Sequence, residues 1–406
     1  MAQPKTVYLH IGLAKTGTTS LQLALQEHAR GLAERSILFP GGTHGAQTVA
    51  VYDLMGRSVP GEKYPRLPGA FDRLTEEIDA WPGSSAVLSH ELLALARPGQ
   101  VRRLVGSLPD HHLAVVVTVR DLARAISSSY QQEIFQGSTV TWSSYVRAVG
   151  AQRDSAGLSF WMRQDLLRVL GPWERYLPPE DIHIVTVPRA GQPVHLLFDR
   201  FAEVLGLPAG SIVPRRPVRN ASLDAAELEV LRRLNQDIAA ERGRASRVQH
   251  LRPELRERLG HGQSRPLRLP AEELAWVRTW AEGLVEDVRL RRYHVVGDLS
   301  DLLPDVSPAD SDPPDQVSEA ELLAATAHVL HAVTQEYGVL WRRNRRLRQQ
   351  LRADPEAGTV ADRLGYSSRA TGFRIRQAAL DRAGRSRLVG RLARAYLRRT
   401  ARDGRH

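Results

Sequence analysis

The nine residues 12–20, GLAKTGTTS, lie between the apolar run VYLHI and a stretch of helical character, and they limit the fold more than any other part of the chain. A loop that leaves a strand and opens a helix presents free backbone N–H groups and the positive end of the helix dipole, which together favour an anion. Gly12 and Gly17 let the backbone approach a phosphate closely. Thr16, Thr18 and Thr19 add hydroxyl donors, and Lys15 adds a point charge. A Walker A loop reads G-x-x-x-x-G-K-[ST]. Here Lys15 precedes the second glycine, so the segment reads as a phosphate cradle of a different order.

Elements around the loop follow from hydrophobic pattern. Residues 6–11 read as a buried strand and 18–29 as the helix after it, with further strands at 36–39, 86–89, 113–119 and 182–187. Helical stretches alternate with them at 70–80, 99–107, 122–136, 142–149, 160–170 and 193–205. Short continuous runs such as AVVVTV belong in a parallel sheet covered on both faces. The expectation is an α/β fold: a three-layer, P-loop-type domain with a central parallel sheet over residues 1–300, its later part mostly helical.

A Pro/Asp-rich linker is expected at 301–316, where LLPDVSPADSDPPD suits neither helix nor central strand. Residues 317–352 read as a helix opened by a Ser318/Glu321 capping box. Leu330, Val333, Tyr337, Leu340, Asn344, Leu347 and Leu351 step by three and four, and an Asn in such a row can set coiled-coil register. A homodimer through this helix and a helix docked on its own domain both remain open.

Charge is concentrated at the end of the chain. The formal net charge is +11, and residues 341–406 hold nineteen Arg against five acidic residues, about +14, which leaves the rest of the chain near −3. The tail 353–406 mixes Leu, Val, Ile, Phe and Tyr with Arg at roughly helical spacing, a pattern suited to an anionic membrane surface or acidic glycans. A solvated Arg-rich tail is the alternative. No nucleic-acid-binding motif is present, so nucleic acid is not an expected partner. Absence of cysteine excludes disulfides and thiolate metal sites, and no His/Asp/Glu cluster has metal-ligand spacing. With no apolar leader and no run near the roughly 20 residues that span a bilayer, a cytoplasmic location is expected, peripheral at the membrane if the tail binds lipid.

HIGLAKTGTTSLQ resembles the 5′-phosphosulfate loop of sulfotransferases that use 3′-phosphoadenosine 5′-phosphosulfate (PAPS), in its bacterial branch. The resemblance implies that Lys15 lies beside the oxygen bridging sulfur and phosphorus, with Thr16, Gly17, Thr18 and Thr19 forming the cradle. The family's second signature is an Arg at a strand end with a Ser eight residues on, together holding the 3′-phosphate. VVVTVRDLARAISSSY supplies Arg120 and Ser128 at that spacing, with Tyr130 where the family often has an aromatic. An Arg fork and a Ser hydroxyl one to two helical turns on can address one anion. The family's R-D-P is R-D-L here, and Ser127 is an alternative to Ser128.

A catalytic base is implied shortly after another strand, as His in some branches and Glu in others. VLSHELLALA offers both, His90 and Glu91, with Glu91 favoured because bacterial members more often carry S-x-E. The likeness continues faintly to about residue 240, where Arg219 and Asn220 are candidates to complete the cofactor pocket. His10, inside a strand, reads as a buried structural imidazole. The expected activity is sulfuryl transfer from PAPS to a hydroxyl or amine of a small-molecule or glycan acceptor, with no metal. The rivals are a P-loop kinase or nucleotide-binding protein, and a surface-binding protein acting through its basic tail.

Overall fold

The computed structural model describes residues 4–57, 68–152, 155–215, 223–242, 258–259, 267–304 and 316–353. Arg219, Asn220, most of the expected linker and all but the first residue of the Arg-rich tail lie outside them. Residues 1–330 form one compact unit and 331–406 a second.

Six parallel strands make one sheet: β1 (Thr6–His10), β2 (Ile37–Leu38), β3 (Ser85–Ser89), β4 (His112–Val119), β5 (Ile182–Thr186) and β6 (His294–Val296). Their spatial order is β2-β3-β1-β4-β5-β6. Both faces are covered, as the continuous apolar runs require. Val7, Leu9, Val115 and Val117 pack with α3 (His44–Leu54), α4 (Ala70–Ala80) and α5 (Pro98–Gly106) on one side. Val87, Val116 and Val185 pack on the other with α1 (Thr18–Glu27), α2 (Ala29–Glu34) and α10 (Leu196–Val204). The chain is thus a three-layer α/β protein.

Between β4 and β5 in the chain come α6 (Leu122–Phe135), α7 (Trp142–Ala151), α8 (Ser155–Gln164) and α9 (Leu166–Leu170). The single helix expected at 160–170 is two, because Asp165 ends α8 and caps α9 by accepting from the Arg168 amide. Helices α11 (Ala225–Arg242) and α12 (Ala271–Arg291) account for the helical later part, which nevertheless returns to the sheet as β6.

The last helix, α13 (Glu319–Ala353), starts with the expected capping box: the Glu321 amide donates to Ser318 Oγ, and the Ser318 amide donates to Glu321 Oε2. Of the heptad row, Leu330, Val333, Tyr337 and Leu347 are exposed. No helix among the described residues is long and apolar enough to cross a membrane.

The strand order places the site. The connection leaving β1 runs toward β2, whereas the connection leaving β4 runs toward β5. Adjacent strands whose connections diverge leave a crevice beyond their carboxyl ends, where ligands of open α/β sheets bind. Residues 11–17 follow β1 and Arg120 follows β4, so both candidate anion elements flank that crevice.

Candidate functional site

The loop after β1 is pinned to β4 by backbone hydrogen bonds from Ile11 to Val116 and from Leu13 to Thr118, both 3.0 Å. Gly12 has φ +53°, and a Cβ there would lie 2.4 Å from Thr18 Cγ2. Gly17, at φ +92°, caps α1, and a Cβ there would meet Leu197 at 2.8 Å. Lys15 also takes a positive φ, 68°. For a residue with a side chain this conformation is uncommon and stores strain, a feature concentrated at functional turns. Its ammonium donates to Gln132 Oε1 on α6 at 3.2 Å.

The three threonines occupy different places. Thr16 is buried, and its hydroxyl donates to the Leu13 carbonyl (2.6 Å) instead of facing outward as a cradle donor. Thr18 is buried with its methyl toward Gly12, and Thr19 is exposed on the first turn of α1.

Because the Thr16 proton is committed to Leu13, the remaining polar contacts acquire a direction. Thr118 donates to Thr16 (2.6 Å), the Nε2–H of His10 donates to Thr118 (3.4 Å), and Ser89 donates to His10 Nδ1 (2.7 Å). His10 is fully buried, and burial drives its pKa down to about 3, so the ring is neutral and structural, as expected. This chain of four side chains crosses the carboxyl ends of β3, β1 and β4 and fixes the loop on the sheet.

Arg120 stands at the start of the neighbouring turn. Its Nη1 donates to the carbonyl of Lys15 at 3.0 Å, and its buried Nε has no partner among the described residues. Burial lowers its pKa to about 10, with the charge of Arg124 pushing the same way and Asp121 opposing; it stays protonated at neutral pH. Ser128 is half-buried on α6, and its hydroxyl makes no hydrogen bond among the described residues. The Ser127 hydroxyl, by contrast, donates back to Ala123 within the helix at 3.1 Å. Tyr130 belongs to the core, packed on Trp142 and Tyr145.

At the end of β3, His90 and Glu91 diverge. His90 is buried and caps the following 3₁₀ turn, its Nδ1 accepting from the Leu92 amide at 3.1 Å. Its ring stacks on His44 at 5.6 Å, and burial lowers its pKa to about 4, opposed by Glu91 and helped by His44. Glu91 is half-exposed, and its Oε2 accepts from Gln22 of α1 at 3.3 Å. Gln22 also donates to the Ser89 carbonyl at 3.3 Å, so the helix opened by the loop also positions Glu91.

Gln22, Gln132 and Arg124 carry no motif, although Arg124, Ser128 and Gln132 follow one another at i, i+4 spacing on α6. That spacing is the one signal in the sequence that could have found Arg124 and Gln132; Gln22 on α1 has none. Asp121 accepts from the Arg124 amide at 2.9 Å and from Arg124 Nε. Among the described residues no group of three or more His, Asp or Glu could hold a metal ion. No protein-family model, curated protein or solved structure matches this chain.

Proposed function

We propose that this protein is a sulfotransferase that draws its sulfuryl group from PAPS and passes it to a hydroxyl or amine of an acceptor such as a carbohydrate or glycolipid. One observation carries the reading. Arg120 Nη1 is bonded to the Lys15 carbonyl, which couples two separate anion-binding elements across the crevice between β1 and β4. A ligand spanning both needs negative charge at two places, as a nucleotide phosphorylated on both sides of its ribose has.

The residues fit such a donor on their own terms. A Cβ at Gly12 would meet Thr18 and one at Gly17 would meet Leu197, so glycine at both keeps the loop tight, and Arg120 keeps an N–H without a partner among the described residues. PAPS, when bound, supplies the sulfuryl group and a bisphosphate leaving group. Lys15 and the loop amides stabilise negative charge on the 5′ side, while Arg120 and Ser128 hold the 3′ side. Sulfuryl transfer, like phosphoryl transfer, depends on positioning and charge stabilisation.

Glu91 is the proposed base, accepting the acceptor's proton at its carboxylate. His90 is disfavoured because its Nδ1 is engaged by Leu92 and its ring is held neutral by burial.

A magnesium-dependent kinase would need a free acid at a strand end. Asp121, the nearest candidate, is occupied by Arg124. Calorimetric titration with adenosine 3′,5′-bisphosphate against ATP with magnesium tests the choice. The bisphosphate is expected to bind more tightly, and a clear preference for ATP would sink the sulfotransferase reading.

A further inference from the structure

Two arginines flank the Asp121 cap at the start of α6, each with a donor left over. Arg120 Nε and Arg124 Nη2 are both buried and have no hydrogen-bond partner among the described residues. Such orphans are rare in folded proteins, because a buried N–H that loses water and gains no acceptor costs free energy. The charge of Arg124 also bears on Arg120, lowering its pKa. Asp121 offsets part of that repulsion, but it engages Arg124 only through the backbone amide and Nε. It thereby fixes the guanidinium while leaving Nη2 without an acceptor. Ser128, one turn beyond Arg124 on the same helical face, adds a third donor without a partner among the described residues.

Two like charges with unpaired donors, and a hydroxyl one turn further along the helix, suit an anion. A terminal phosphate monoester brings close to two negative charges and three exposed oxygens to these donors, a phosphodiester one charge and two such oxygens, and a ribose hydroxyl no charge. We infer that Arg124 is the second guanidinium of the Arg120/Ser128 seat, and that the pair selects a terminal phosphate monoester on the nucleotide. This deepens the PAPS reading and rests on it for the identity of the nucleotide. It also gives Asp121 a positioning role.

The test compares binding of adenosine 3′,5′-bisphosphate and adenosine 5′-phosphate to the full chain by calorimetry, for wild type, Arg124→Gln and Arg124→Lys. Losing a charge-assisted hydrogen bond is expected to cut the wild-type preference for the bisphosphate by about 10- to 100-fold in Arg124→Gln, leaving adenosine 5′-phosphate affinity within about threefold. Arg124→Lys, which keeps the stem and the charge but not the fork, is expected to recover part of the preference. An unchanged preference in Arg124→Gln overturns the inference and leaves the PAPS reading standing. If wild type binds neither nucleotide, the PAPS reading fails, and inorganic phosphate decides the seat. Phosphate should then raise the unfolding temperature of wild type and not of Arg124→Gln; equal effects on both overturn the inference.

Discussion

Arg120 and Lys15, 105 residues apart in sequence, are joined by a 3.0 Å hydrogen bond from the guanidinium of one to the backbone carbonyl of the other. The bond meets Lys15 in its left-handed conformation and leaves Arg120 Nε without a partner among the described residues. Arg120→Lys keeps the charge but cannot make both contacts. Affinity for adenosine 3′,5′-bisphosphate is expected to fall by about tenfold or more, measured by calorimetry.

Glu91 and His90 separate by substitution. Glu91→Gln keeps the contact with Gln22 but cannot take a proton, and sulfuryl transfer should fall by about 10²- to 10⁴-fold with bisphosphate affinity preserved. His90→Asn retains a capping acceptor for the Leu92 amide and should leave the rate within a few-fold. Release of adenosine 3′,5′-bisphosphate from PAPS, in the presence of a panel of sugar and amine acceptors, provides the assay. A larger loss in His90→Asn than in Glu91→Gln reverses the assignment.

Buried histidines predict the pH dependence of stability. In the folded protein burial lowers His90 to about 4 and His10 to about 3, while the unfolded chain titrates both near 6.5. Below pH 6.5 the unfolded state therefore binds protons that the folded state does not. Stability is full above about pH 7 and is lost as pH falls toward 4. Each such histidine contributes a slope of about 1.4 kcal/mol per pH unit inside that window. Urea denaturation from pH 7.5 to 4.5 should show the decline, and His90→Asn should make it shallower by one proton's worth.

Rigidity of the loop is testable at Gly12 and Thr118. Gly12→Ala forces a positive φ on a residue with a Cβ and drives that atom into Thr18, so a loss of more than about 1 kcal/mol is expected. Thr118→Val, nearly isosteric, leaves the His10 N–H without an acceptor and should cost about 1–3 kcal/mol. Both are read from urea midpoints, with unchanged slope as the check that the fold persists.

The frame of the molecule was legible in the sequence wherever local chemistry decides it. All five expected strands match β1, β2, β3, β4 and β5 to within a residue at either end, because short apolar runs between turn residues have few other uses. The loop was legible because positive-φ glycines between a strand and a helix act on their immediate neighbours. The helix α3 and the strand β6 were not expected. The HGAQTVAVYDL of α3 mixes β-branched residues with glycine and becomes helical under its Thr43 cap and core contacts. The three residues of β6 are a strand only because β5 offers them an edge.

Roles within the site divided in the same way. Lys15, Arg120, Ser128, His90 and Glu91 could be nominated from motifs, since each lies at a strand end or on the first turns of a helix. Tertiary structure alone decided that Thr16 turns inward, that His90 is buried while Glu91 is held by Gln22, and that Arg120 and Arg124 each bury a donor without a partner among the described residues. Side-chain direction, burial and charge proximity depend on residues far away in sequence, such as Thr118 for Thr16 and Lys15 for Arg120. Local pattern determines which elements form, but the order in which strands assemble determines which side chains meet. Here that order places the loop after β1 beside the turn after β4.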